Sequence, residues 1–540
     1  MNLALHDPDG CRSELLAAWY AEGFYSNQTV PDALASGAEQ FASRRLIFFD
    51  KGQTSSFQLG DLYRRSKEIA GALHGLGLRA GDTIGIQMPN RVEGYLLAQA
   101  ALIGGFRLLP IIHIYGPSEV SYIMRTSGAR ALVVPDRWRN IDYLERLEAL
   151  RDLPDLEFRI VVGEDVPKGA VSWKRLTELF TEEFPRPRQK SDDPALLLFT
   201  SGTTTSPKGA LHSHNSLLAE LKSDAGASGV NLSPWPAGHI AGVLSVLRLY
   251  FAGTESVLMD AWDANAAADL VEQFGVTGTS GTPFHALSLL DAAAQRGRNI
   301  SSLRCYLIGA ASVPADVVKR CDKAGIGMFR AYGSTEHPTI TSGAPEDDFD
   351  KRSRTDGQLE PGCRVRIVDE EDKDLPVGSP GEILSQGPDQ FLGYLSSEHN
   401  HEAFADGGWF RTGDIGRMDD DGFLTITDRK KDIIIRGGEN IASKEVEDLL
   451  IRHAKIRDAA VVAVPHERLG EQVYAYLVPE NGMRLSLEEV AAHFRELGVA
   501  RQKTPEFIET VSELPRTPSG KVKKFELRAR HERSNIALKP

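Results

Sequence analysis

The strongest constraint on the fold is an alternation of helix-type and strand-type segments along the first two hundred residues. Apolar residues recur with a helical period over residues 62–76 and 92–103, whereas residues 83–88 and 131–135 are short apolar runs typical of buried strands. Helices that alternate with buried strands predict parallel sheets covered by helices. We therefore predict an α/β fold with a large N-terminal domain of doubly wound sheets, where ligands bind beyond the carboxyl ends of strands. The alternation continues through residues 256–259, 264–274, 276–279, 286–294 and 304–308.

The pattern of predicted secondary structure changes after about Gly357, where the predicted segments become short and are separated by turns. Residues 364–384 read RVRIVDEEDKDLPVGSPGEIL, which predicts a β-hairpin with a charged turn and a small, barrel-like β subdomain. Beyond residue 431 the pattern indicates a compact α+β unit of about one hundred residues. We predict two domains, residues 1–430 and 431–540, with a short junction at Lys431 that permits a hinge motion.

Length, charge and cysteine spacing exclude several classes of protein. A chain of 540 residues is too long for one core, and its net charge of −13 opposes a nucleic-acid partner. The most apolar stretch, residues 95–106, is too short to span a bilayer, and the first residues lack a secretion signal. We expect a cytoplasmic protein without a membrane segment. The cysteines show neither metal-ligand spacing nor a disulfide framework: Cys11, Cys305, Cys321 and Cys363.

The strongest functional signal is residues 196–208, LLLFTSGTTTSPK, where an apolar strand-type run leads into hydroxyl-bearing residues and a lysine. Free backbone N–H groups near Gly202, a row of hydroxyls and the Lys208 ammonium could hold a polyphosphate. A polar surface turn is an equally good interpretation of this segment alone. Because Lys208 lies between Pro207 and Gly209, the spacing of a Walker-type loop is absent. The hydroxyls are those of Thr200, Ser201, Thr203, Thr204 and Thr205.

Two further segments carry residues suited to a nucleotide. In RAYGSTEHP, Tyr332 could lie against a purine, Thr335 could donate to a phosphate oxygen and Glu336 could ligate Mg²⁺. Asp414 lies at a turn, where a carboxylate can accept hydrogen bonds from a vicinal diol such as ribose. Taken alone, each of these residues is more typical of an ordinary surface loop or a cap.

Five segments in order make the chain similar to the acyl-CoA synthetases of the adenylate-forming superfamily. They are FTSGTTTSPKGALHSHNS, PAGHIAGV, RAYGSTEHP, GWFRTGDIGRMDDDGFLTITDRKKDIIIRGGENI and PRTPSGKVKK. The resemblance covers nearly the whole chain. It implies that a carboxylic acid reacts with ATP and Mg²⁺ to form an acyl-adenylate and pyrophosphate, and that coenzyme A then takes the acyl group and releases AMP.

The resemblance also implies a set of ATP- and AMP-binding residues. Thr200 and Glu336 would hold the metal, Lys208 would neutralise phosphate charge, and Asp414 with Arg429 would bind the ribose. The remaining nucleotide-binding positions implied are Ser201, Gly202, Thr203, Thr204, Gly309, Ala310, Ala311, Ala331, Tyr332, Gly333 and Thr335. The sequence departs from the family at Thr205, where glycine is common, and a β-branched residue tolerates positive φ poorly.

By the same resemblance, Lys521 is the main catalytic side chain and bridges the carboxylate and the α-phosphate during adenylation. Lys431 matches the hinge position, and its rotation would bring Gly437 and Gly438 to a tunnel for the pantetheine arm. His239 matches a position between the acyl pocket and the path of the thiol, for which we expect a gating role. Trp235 and Phe284 are further candidates for the pocket wall.

Several alternatives remain open from the sequence. An acyl-AMP ligase that loads a carrier protein would use the same adenylate, and a non-catalytic nucleotide-binding protein could keep the same fold. An amino-acid substrate is disfavoured because no acidic residue lies in PAGHIAGV to hold its ammonium group. The favoured acids are medium-chain, alicyclic or steroid-derived, and a homodimer is open. His212, His214, His399 and His401 have no partnered ligands in sequence and do not predict a zinc site.

Overall fold

A computed structural model describes residues 11–179, 184, 187–200, 207–222, 229–309, 313–436, 439–466, 469–480, 483–517 and 520–537. The α-helices of these residues are α1 (Cys11–Ala21), α2 (Val30–Gln40), α3 (Leu59–Leu76), α4 (Val92–Ile103), α5 (Pro117–Ser127), α6 (Tyr143–Ala149), α7 (Trp173–Glu178), α8 (His214–Lys222), α9 (Ile240–Leu247), α10 (Leu249–Ala252), α11 (Ala264–Phe274), α12 (Pro283–Arg296), α13 (Ala315–Lys323), α14 (Phe349–Arg354), α15 (Ser397–Ala403), α16 (Ser443–Ile451), α17 (Leu487–Glu496) and α18 (Lys524–Ala537).

The strands are β1 (Arg45–Asp50), β2 (Gln53–Gln58), β3 (Thr83–Ile86), β4 (Arg107–Pro110), β5 (Ala131–Pro135), β6 (Arg137–Trp138), β7 (Ile141–Asp142), β8 (Phe158–Val162), β9 (Val171–Ser172), β10 (Pro194–Thr200), β11 (Lys208–Ser213), β12 (Val230–Ser233), β13 (Glu255–Met259), β14 (Gly278–Gly281), β15 (Cys305–Ile308), β16 (Gly327–Tyr332), β17 (Thr341–Ser342), β18 (Gln358–Leu359), β19 (Arg364–Val368), β20 (Gly381–Gln386), β21 (Gly393–Tyr394), β22 (Phe404–Ala405), β23 (Trp409–Met418), β24 (Leu424–Arg429), β25 (Ile434–Arg436), β26 (Glu439–Ile441), β27 (Ile456–His466), β28 (Gly470–Pro479) and β29 (Phe507–Thr510). Short 3₁₀ turns lie at Lys430–Asp432 and Arg501–Lys503.

Two large sheets form the N-terminal part of the molecule. The first has the order β18-β17-β16-β15-β14-β12-β13-β1-β2, and its strands are parallel from β16 to β1. The second has the order β21-β11-β10-β4-β3-β5-β8-β9 and is parallel from β10 to β9. Antiparallel strands are confined to the edges, as is common in doubly wound sheets. The α/β class predicted from the alternation is confirmed.

The helix α4 packs in the middle of the largest hydrophobic core. Its sequence, VEGYLLAQAALI, is apolar on nearly every face, which is the pattern of a helix buried on all sides. Side chains of α3, α4, α9 and α10 form this core together with strands of both sheets. The position of α4 therefore brings its polar residues, such as Gln99, into an apolar interior.

The third sheet is antiparallel and has the order β19-β20-β23-β22, with β24 paired to β23. β19 pairs with β20 in the register Arg364↔Gln386 to Val368↔Glu382, so the hairpin predicted over residues 364–384 is confirmed. This sheet is the small β-rich unit predicted after about Gly357. It places Asp414 on β23 opposite Arg429 on β24.

The small C-terminal unit is a fourth sheet, β26-β25-β28-β27 with β29 on β28, covered by helices on both faces. Alternate residues of β27 point to opposite sides, as the period of a strand requires. Ala459 and Val461 pack with α16 and α17, whereas Ala460 and Val462 pack with Leu527 of α18. A large N-terminal part and a small α+β C-terminal part are thus present, as predicted.

A buried group of charged residues joins the C-terminal unit to β24. The Lys524 ammonium lies 2.8 Å from Glu447 Oε1 and donates to Ser443 Oγ at 2.7 Å. Ser443 in turn donates from its backbone N–H and its hydroxyl to the carboxylate of Asp428. Burial alone would lower the pKa of Lys524, but the carboxylates of Glu447 and Asp432 outweigh it and raise that pKa.

Among the described residues, none of the helices combines the length and the apolar character needed to cross a membrane.

Replacing Lys524 by Met should destabilise the C-terminal unit by about 3 kcal/mol, because it leaves the Glu447 carboxylate buried without its cation. All tryptophans lie at or before Trp409, so fluorescence does not report on this unit. Hydrogen–deuterium exchange of the β27 amides is the suitable measurement. Lys523→Met is the matched control, since the Lys523–Glu526 pair is partly exposed and should contribute under about 1 kcal/mol. Equal protection in the two variants would contradict this account.

Candidate active site

Thr200 and Lys208 face each other on the paired strands β10 and β11 of the second sheet. β10 ends at Thr200, β11 begins at Lys208, and the two residues are paired in the antiparallel register. The Thr200 hydroxyl donates to the Lys208 carbonyl at 3.5 Å. Thr200 thus lies at the carboxyl end of a strand that is parallel to β4, where α/β folds bind ligands. The other predicted phosphate-binding residues lie outside the described residues: Ser201, Gly202, Thr203, Thr204 and the atypical Thr205.

Glu336 is buried and is held by an aromatic residue that joins it to Lys208. The Tyr394 hydroxyl donates to Glu336 Oε1 at 2.7 Å, and the Lys208 ammonium lies 5.1 Å from the centre of the Tyr394 ring. Burial and the neighbouring carboxylate raise the pKa of Tyr394, so its hydroxyl remains a donor. The structure therefore brings Lys208 and Glu336 together through one ring. Carboxylate and hydroxyl oxygens are ligands that suit Mg²⁺, so the side chains of Glu336 and Thr200 fit that ion.

Asp414 is fixed by two donors on different strands. The Tyr332 hydroxyl donates to Asp414 Oδ2 at 2.7 Å, and Arg429 Nε lies 2.8 Å from Oδ1. Asp414 is only 4% exposed, so its charge depends on these partners. Burial raises the pKa of Tyr332 well above its ordinary value, which keeps the phenol protonated. The three residues predicted to contact the nucleoside are therefore in direct contact with one another.

Backbone packing explains the glycines at two of the predicted nucleotide positions. A Cβ at Gly333 would lie 1.9 Å from the Pro338 carbonyl oxygen, and a Cβ at Gly309 would lie 2.9 Å from the Ala331 carbonyl oxygen. Gly309 follows β15, and Ala331 belongs to the neighbouring β16. The end of β15 therefore lies directly beside the strand that carries Tyr332. Ala310 and Ala311 lie outside the described residues.

The loop that carries Thr335 and Glu336 is held by two buried histidines. His212 Nε2 lies 2.7 Å from the Thr335 carbonyl oxygen, so it is the N–H that donates there. His337 bonds to Ser385 Oγ at 2.9 Å and to Asp389 Oδ1 at 3.0 Å. Burial would raise the pKa of Asp389, but the charge and hydrogen bond of His337 hold it below its ordinary value. The loop is thus anchored on both sides of Glu336.

Cys363 completes a compact buried group with these residues, its Sγ lying 3.4 Å from His337 Nε2 and 3.6 Å from Asp389 Oδ1. Burial and then Asp389 raise the pKa of the Cys363 thiol, which disfavours a reactive thiolate. Gly387 is required beside it, because a Cβ there would lie 2.6 Å from His337 Nε2. The group acts as packed support for the loop.

Lys521 reaches the same region from the C-terminal unit. Its backbone N–H donates to Thr517 Oγ1 at 3.1 Å, and its carbonyl accepts from the Thr517 N–H at 2.7 Å, which closes a tight turn. Within that turn Gly520 has φ +83°, and a Cβ there would lie 2.9 Å from Thr282 Oγ1 at the start of α12. The turn therefore rests directly on the N-terminal part of the molecule.

Two lysines of the site, Lys521 and Lys431, have lowered pKa values. Burial and then the positive charge of Arg429 lower the pKa of Lys521 to about 8, although Asp414 and Glu336 act in the opposite direction. The same two causes lower the pKa of Lys431 to about 8. Positive charges thus lie close together around Asp414 and Glu336, which is the electrostatic arrangement of a site for a polyanion.

His239 and Trp235 form a stacked wall beside Lys521. Their rings are 5.4 Å apart and nearly parallel, and Trp235 Nε1 donates to Ser280 Oγ at 2.7 Å. His239 caps α9 and its Nδ1 accepts from the Ala241 N–H at 3.2 Å, which leaves the proton of a neutral ring on Nε2. Burial and then Lys521 lower the pKa of His239 to about 4, so the ring is neutral near pH 7.

The other predicted wall residue, Phe284, is placed differently. It lies on the first turn of α12, 53% exposed, with its ring 5.6 Å from that of His285. The predicted tunnel residues Gly437 and Gly438 lie outside the described residues. Lys431 belongs to the 3₁₀ turn after β24, between the third and fourth sheets.

An apolar cavity of about 40 Å³ lies between α4 and α9, the helix that His239 caps. Ala237 and Gly242, which flank His239 in sequence, belong to its lining, and so do Val243 and Leu247 on α9. Asn90 fixes the entry segment, because its Oδ1 accepts from the Ala237 N–H and its Nδ2 donates to the Trp235 carbonyl. The cavity thus begins beside the predicted acyl gate.

Sequence reasoning missed the residues that hold the predicted side chains in place. Tyr394 in GPDQFLGYL carries no local signal of its contact with Glu336, 58 residues earlier. His212, for which the sequence indicates no partner, is buried and donates to the Thr335 carbonyl. One signal that could have indicated its burial is the run of small and apolar residues that precedes it on β11, Gly209 to Leu211, all of which are buried.

Comparisons with known proteins agree over most of the chain. Residues 34–395 match the AMP-binding enzyme family, and residues 445–521 match the AMP-binding enzyme C-terminal domain. The medium-chain fatty-acid–CoA ligase of Escherichia coli (strain K12) is 34% identical over 529 residues, covering 95% of this chain and 92% of that protein. A second relative, from Rhodococcus jostii (strain RHA1), is named 3-[(3aS,4S,7aS)-7a-methyl-1,5-dioxo-octahydro-1H-inden-4-yl]propanoyl:CoA ligase. It is 32% identical over 525 residues, which cover 93% of this chain and 98% of that protein. The crystal structure of ATP-bound MatB from Rhodopseudomonas palustris matches with a TM-score of 0.83 and 26% identity, covering 94% of this chain and 99% of that one.

Replacing Arg429 by Gln should raise the pKa of Lys521 from about 8, because the charge of Arg429 is the second cause of its lowering. Reductive methylation of the Lys521-containing peptide, followed by mass spectrometry across a pH series, measures the fraction of neutral amine. In the wild type half-maximal labelling is expected near pH 8, and in the variant at higher pH. An unchanged midpoint would show that burial alone sets the pKa.

Proposed function

Since the chain belongs to the AMP-binding enzyme family, we propose that it is an acid–thiol ligase that converts a carboxylic acid to its acyl-AMP and then to its acyl-CoA. The observation that carries this proposal is the position of the Lys521 turn, which packs against Thr282 of the N-terminal part and brings the lysine within electrostatic range of Glu336, Asp414 and Arg429. Lys521 comes from the C-terminal unit, whereas the other three residues come from the N-terminal sheets. A mobile cation placed among fixed nucleotide-binding groups is suited to a reaction at a phosphorus atom.

In the first half-reaction, a carboxylate oxygen attacks the α-phosphorus of ATP and the bond to the β-phosphate oxygen breaks. Pyrophosphate leaves with the electron pair. The Lys521 ammonium would stabilise the negative charge that accumulates between the carboxylate and the α-phosphate. Asp414 would accept the ribose hydroxyls in an orientation fixed by Tyr332 and Arg429. Mg²⁺, held by Glu336 and Thr200, would supply charge neutralisation at the phosphates.

In the second half-reaction, the thiol of coenzyme A attacks the acyl carbonyl, the bond to the AMP oxygen breaks, and AMP leaves while the thiol proton passes to solvent. No nucleophile of the protein is needed, so positioning supplies the catalysis. A rotation at Lys431 would withdraw Lys521 and bring Gly437 and Gly438 to the thiol. The neutral His239 ring, stacked on Trp235, would form the wall between the thiol path and the acyl pocket.

The acid is proposed to be medium-chain, alicyclic or steroid-derived. The cavity between α4 and α9 has a mostly apolar lining, which suits a hydrocarbon tail. Two relatives are named as ligases of a medium-chain fatty acid and of an indane-type propanoic acid. Other relatives are named as ligases of aromatic acids, such as indoleacetate. The aromatic wall of Trp235 and His239 makes an aryl acid the second candidate.

A panel of acids identifies the substrate class. Pyrophosphate release should be fastest with acids of medium length or with fused alicyclic acids, and slower by at least about tenfold with benzoate and with palmitate. AMP release should then require coenzyme A rather than a carrier protein. Preference for benzoate or palmitate would overturn the proposed acid, and release that depends on a carrier protein would overturn the proposed acceptor. Absence of pyrophosphate release with every acid would favour a non-catalytic nucleotide-binding protein.

Lys521→Ala should slow adenylate formation by at least about a hundredfold, because a charge-stabilising donor is lost. Conversion of supplied acyl-AMP to the thioester should change by only a few-fold. In the wild type, adenylation should fall as pH rises through about 8, where Lys521 loses its charge. Lys523→Ala, which removes a partly exposed lysine two residues along the chain, is the control. The assignment fails if Lys521→Ala blocks thioester formation and leaves adenylation intact.

A further inference from the structure

The apolar cavity between α4 and α9 contains one polar group whose hydrogen-bonding capacity is not met. Most of its lining is aliphatic or aromatic, and its polar side chains are Asn90, Arg91, Tyr95 and Gln99. Asn90 uses both its oxygen and its nitrogen in bonds to backbone groups, and Arg91 is paired with Asp50 at 2.8 Å. The exception is Gln99, whose Nε2 has no hydrogen-bond partner within the part of the chain that the structure describes.

The orientation of the Gln99 amide is set by hydroxyl donors. Tyr250 donates to Gln99 Oε1 at 2.7 Å. The Ser66 hydroxyl lies 3.2 Å from the same oxygen and shares its one proton with the Leu62 carbonyl at 2.9 Å. The Tyr95 hydroxyl lies 3.4 Å from that of Tyr250 and directs its proton toward it, so the proton of Tyr250 is directed to Gln99. Burial raises the pKa of Tyr95 and of Tyr250, and both remain donors. The amide oxygen is therefore satisfied, and the amide N–H₂ is the group left without an acceptor.

Leaving a buried amide donor unpaired is unfavourable, and Gln99 is only 1% exposed. A leucine or methionine would fill an apolar helix interior without this cost. The tyrosine–tyrosine–glutamine chain instead holds the donor in a fixed position in the cavity lining. A fixed donor in an otherwise apolar cavity is the arrangement by which proteins orient a ligand and select among similar ones.

We propose that the tail of the acid substrate carries a hydrogen-bond acceptor, a ketone or hydroxyl oxygen, that binds Gln99 Nε2. This inference rests on the proposed function, since it takes the cavity as the extension of the acyl pocket. Neither Lys521 nor His239 belongs to the lining of this cavity, and its volume of about 40 Å³ admits only the end of a tail. The acceptor therefore lies away from the carboxylate, at the distal end of a medium-length chain or in the far ring of a fused alicyclic acid.

The test compares acids that differ only in one oxygen. Wild-type kcat/KM for AMP release with coenzyme A is measured with decanoate and with 5-, 7- and 9-oxodecanoate. At least one oxo acid should exceed decanoate by about tenfold or more, because the unoxygenated acid leaves the Gln99 donor unpaired. In Gln99→Met, a change of similar volume, that advantage should fall to within about threefold through loss of activity on the oxo acid.

Two further variants keep the test decisive if Gln99→Met folds poorly. Tyr250→Phe removes the hydroxyl that orients the amide, and it should reduce the oxo-acid advantage by a smaller factor. Gln87→Met is the matched control, because Gln87 is a buried glutamine whose Nε2 is bonded to three backbone carbonyls outside this cavity. The control should leave the ratio of the two acids unchanged.

The outcomes separate the inference from the function on which it rests. Equal kcat/KM for decanoate and all three oxo acids in the wild type would overturn the role of Gln99 and leave the ligase proposal standing. An oxo-acid preference that survives in Gln99→Met would also overturn it. Absence of AMP and pyrophosphate release with every acid, including the panel described above, would instead remove the function itself.

Discussion

The contact on which the site depends is that of one buried carboxylate, Asp414, with Tyr332 and Arg429. Tyr332 ends a strand of the first large sheet, whereas Asp414 and Arg429 face each other in the third sheet. The carboxylate therefore fixes the relative position of two sheets with separate hydrophobic interiors. Its negative charge also opposes the lowering of the Lys521 pKa, so the fourth sheet is electrostatically coupled to the same point. A neutral residue at position 414 would remove the negative charge with which Tyr332, Arg429 and Lys521 all interact.

Much of the local structure could be predicted from sequence, because it is encoded by short-range periodicity. Residues 92–103, 131–135 and 264–274 were predicted with the bounds that the structure shows, since their apolar patterns begin and end sharply. The strand predicted over residues 276–279 lies instead at Gly278–Gly281. Two glycines and two hydroxyl residues provide no hydrophobic signal there, and its place is fixed by pairing with β12 and β15.

The supporting contacts of the site could not be predicted from sequence, because they join positions that are far apart in the chain. Tyr394 reaches Glu336, His212 reaches Thr335, and Tyr250 reaches Gln99 across 151 positions. None of these pairs has a spacing that marks a helix face or a strand face. Thr200, Lys208 and Glu336 could be identified from sequence, because each belongs to a short motif of recognisable composition. The residues that orient those groups become visible only when the sheets are assembled.

The buried group formed by Lys524, Ser443 and Asp428 has a consequence for how the C-terminal unit moves. Asp428 precedes Lys431 in the chain, and Ser443 follows it, so the hydrogen bonds between them span the proposed pivot. If the unit turns at Lys431, these bonds must be exchanged as a set, because a half-broken buried network is costly. The C-terminal unit would then have two stable orientations about this hinge, separated by an energy barrier, rather than a continuous range of angles. The sequence around the pivot would then set the frequency of switching, independently of the chemistry of either half-reaction.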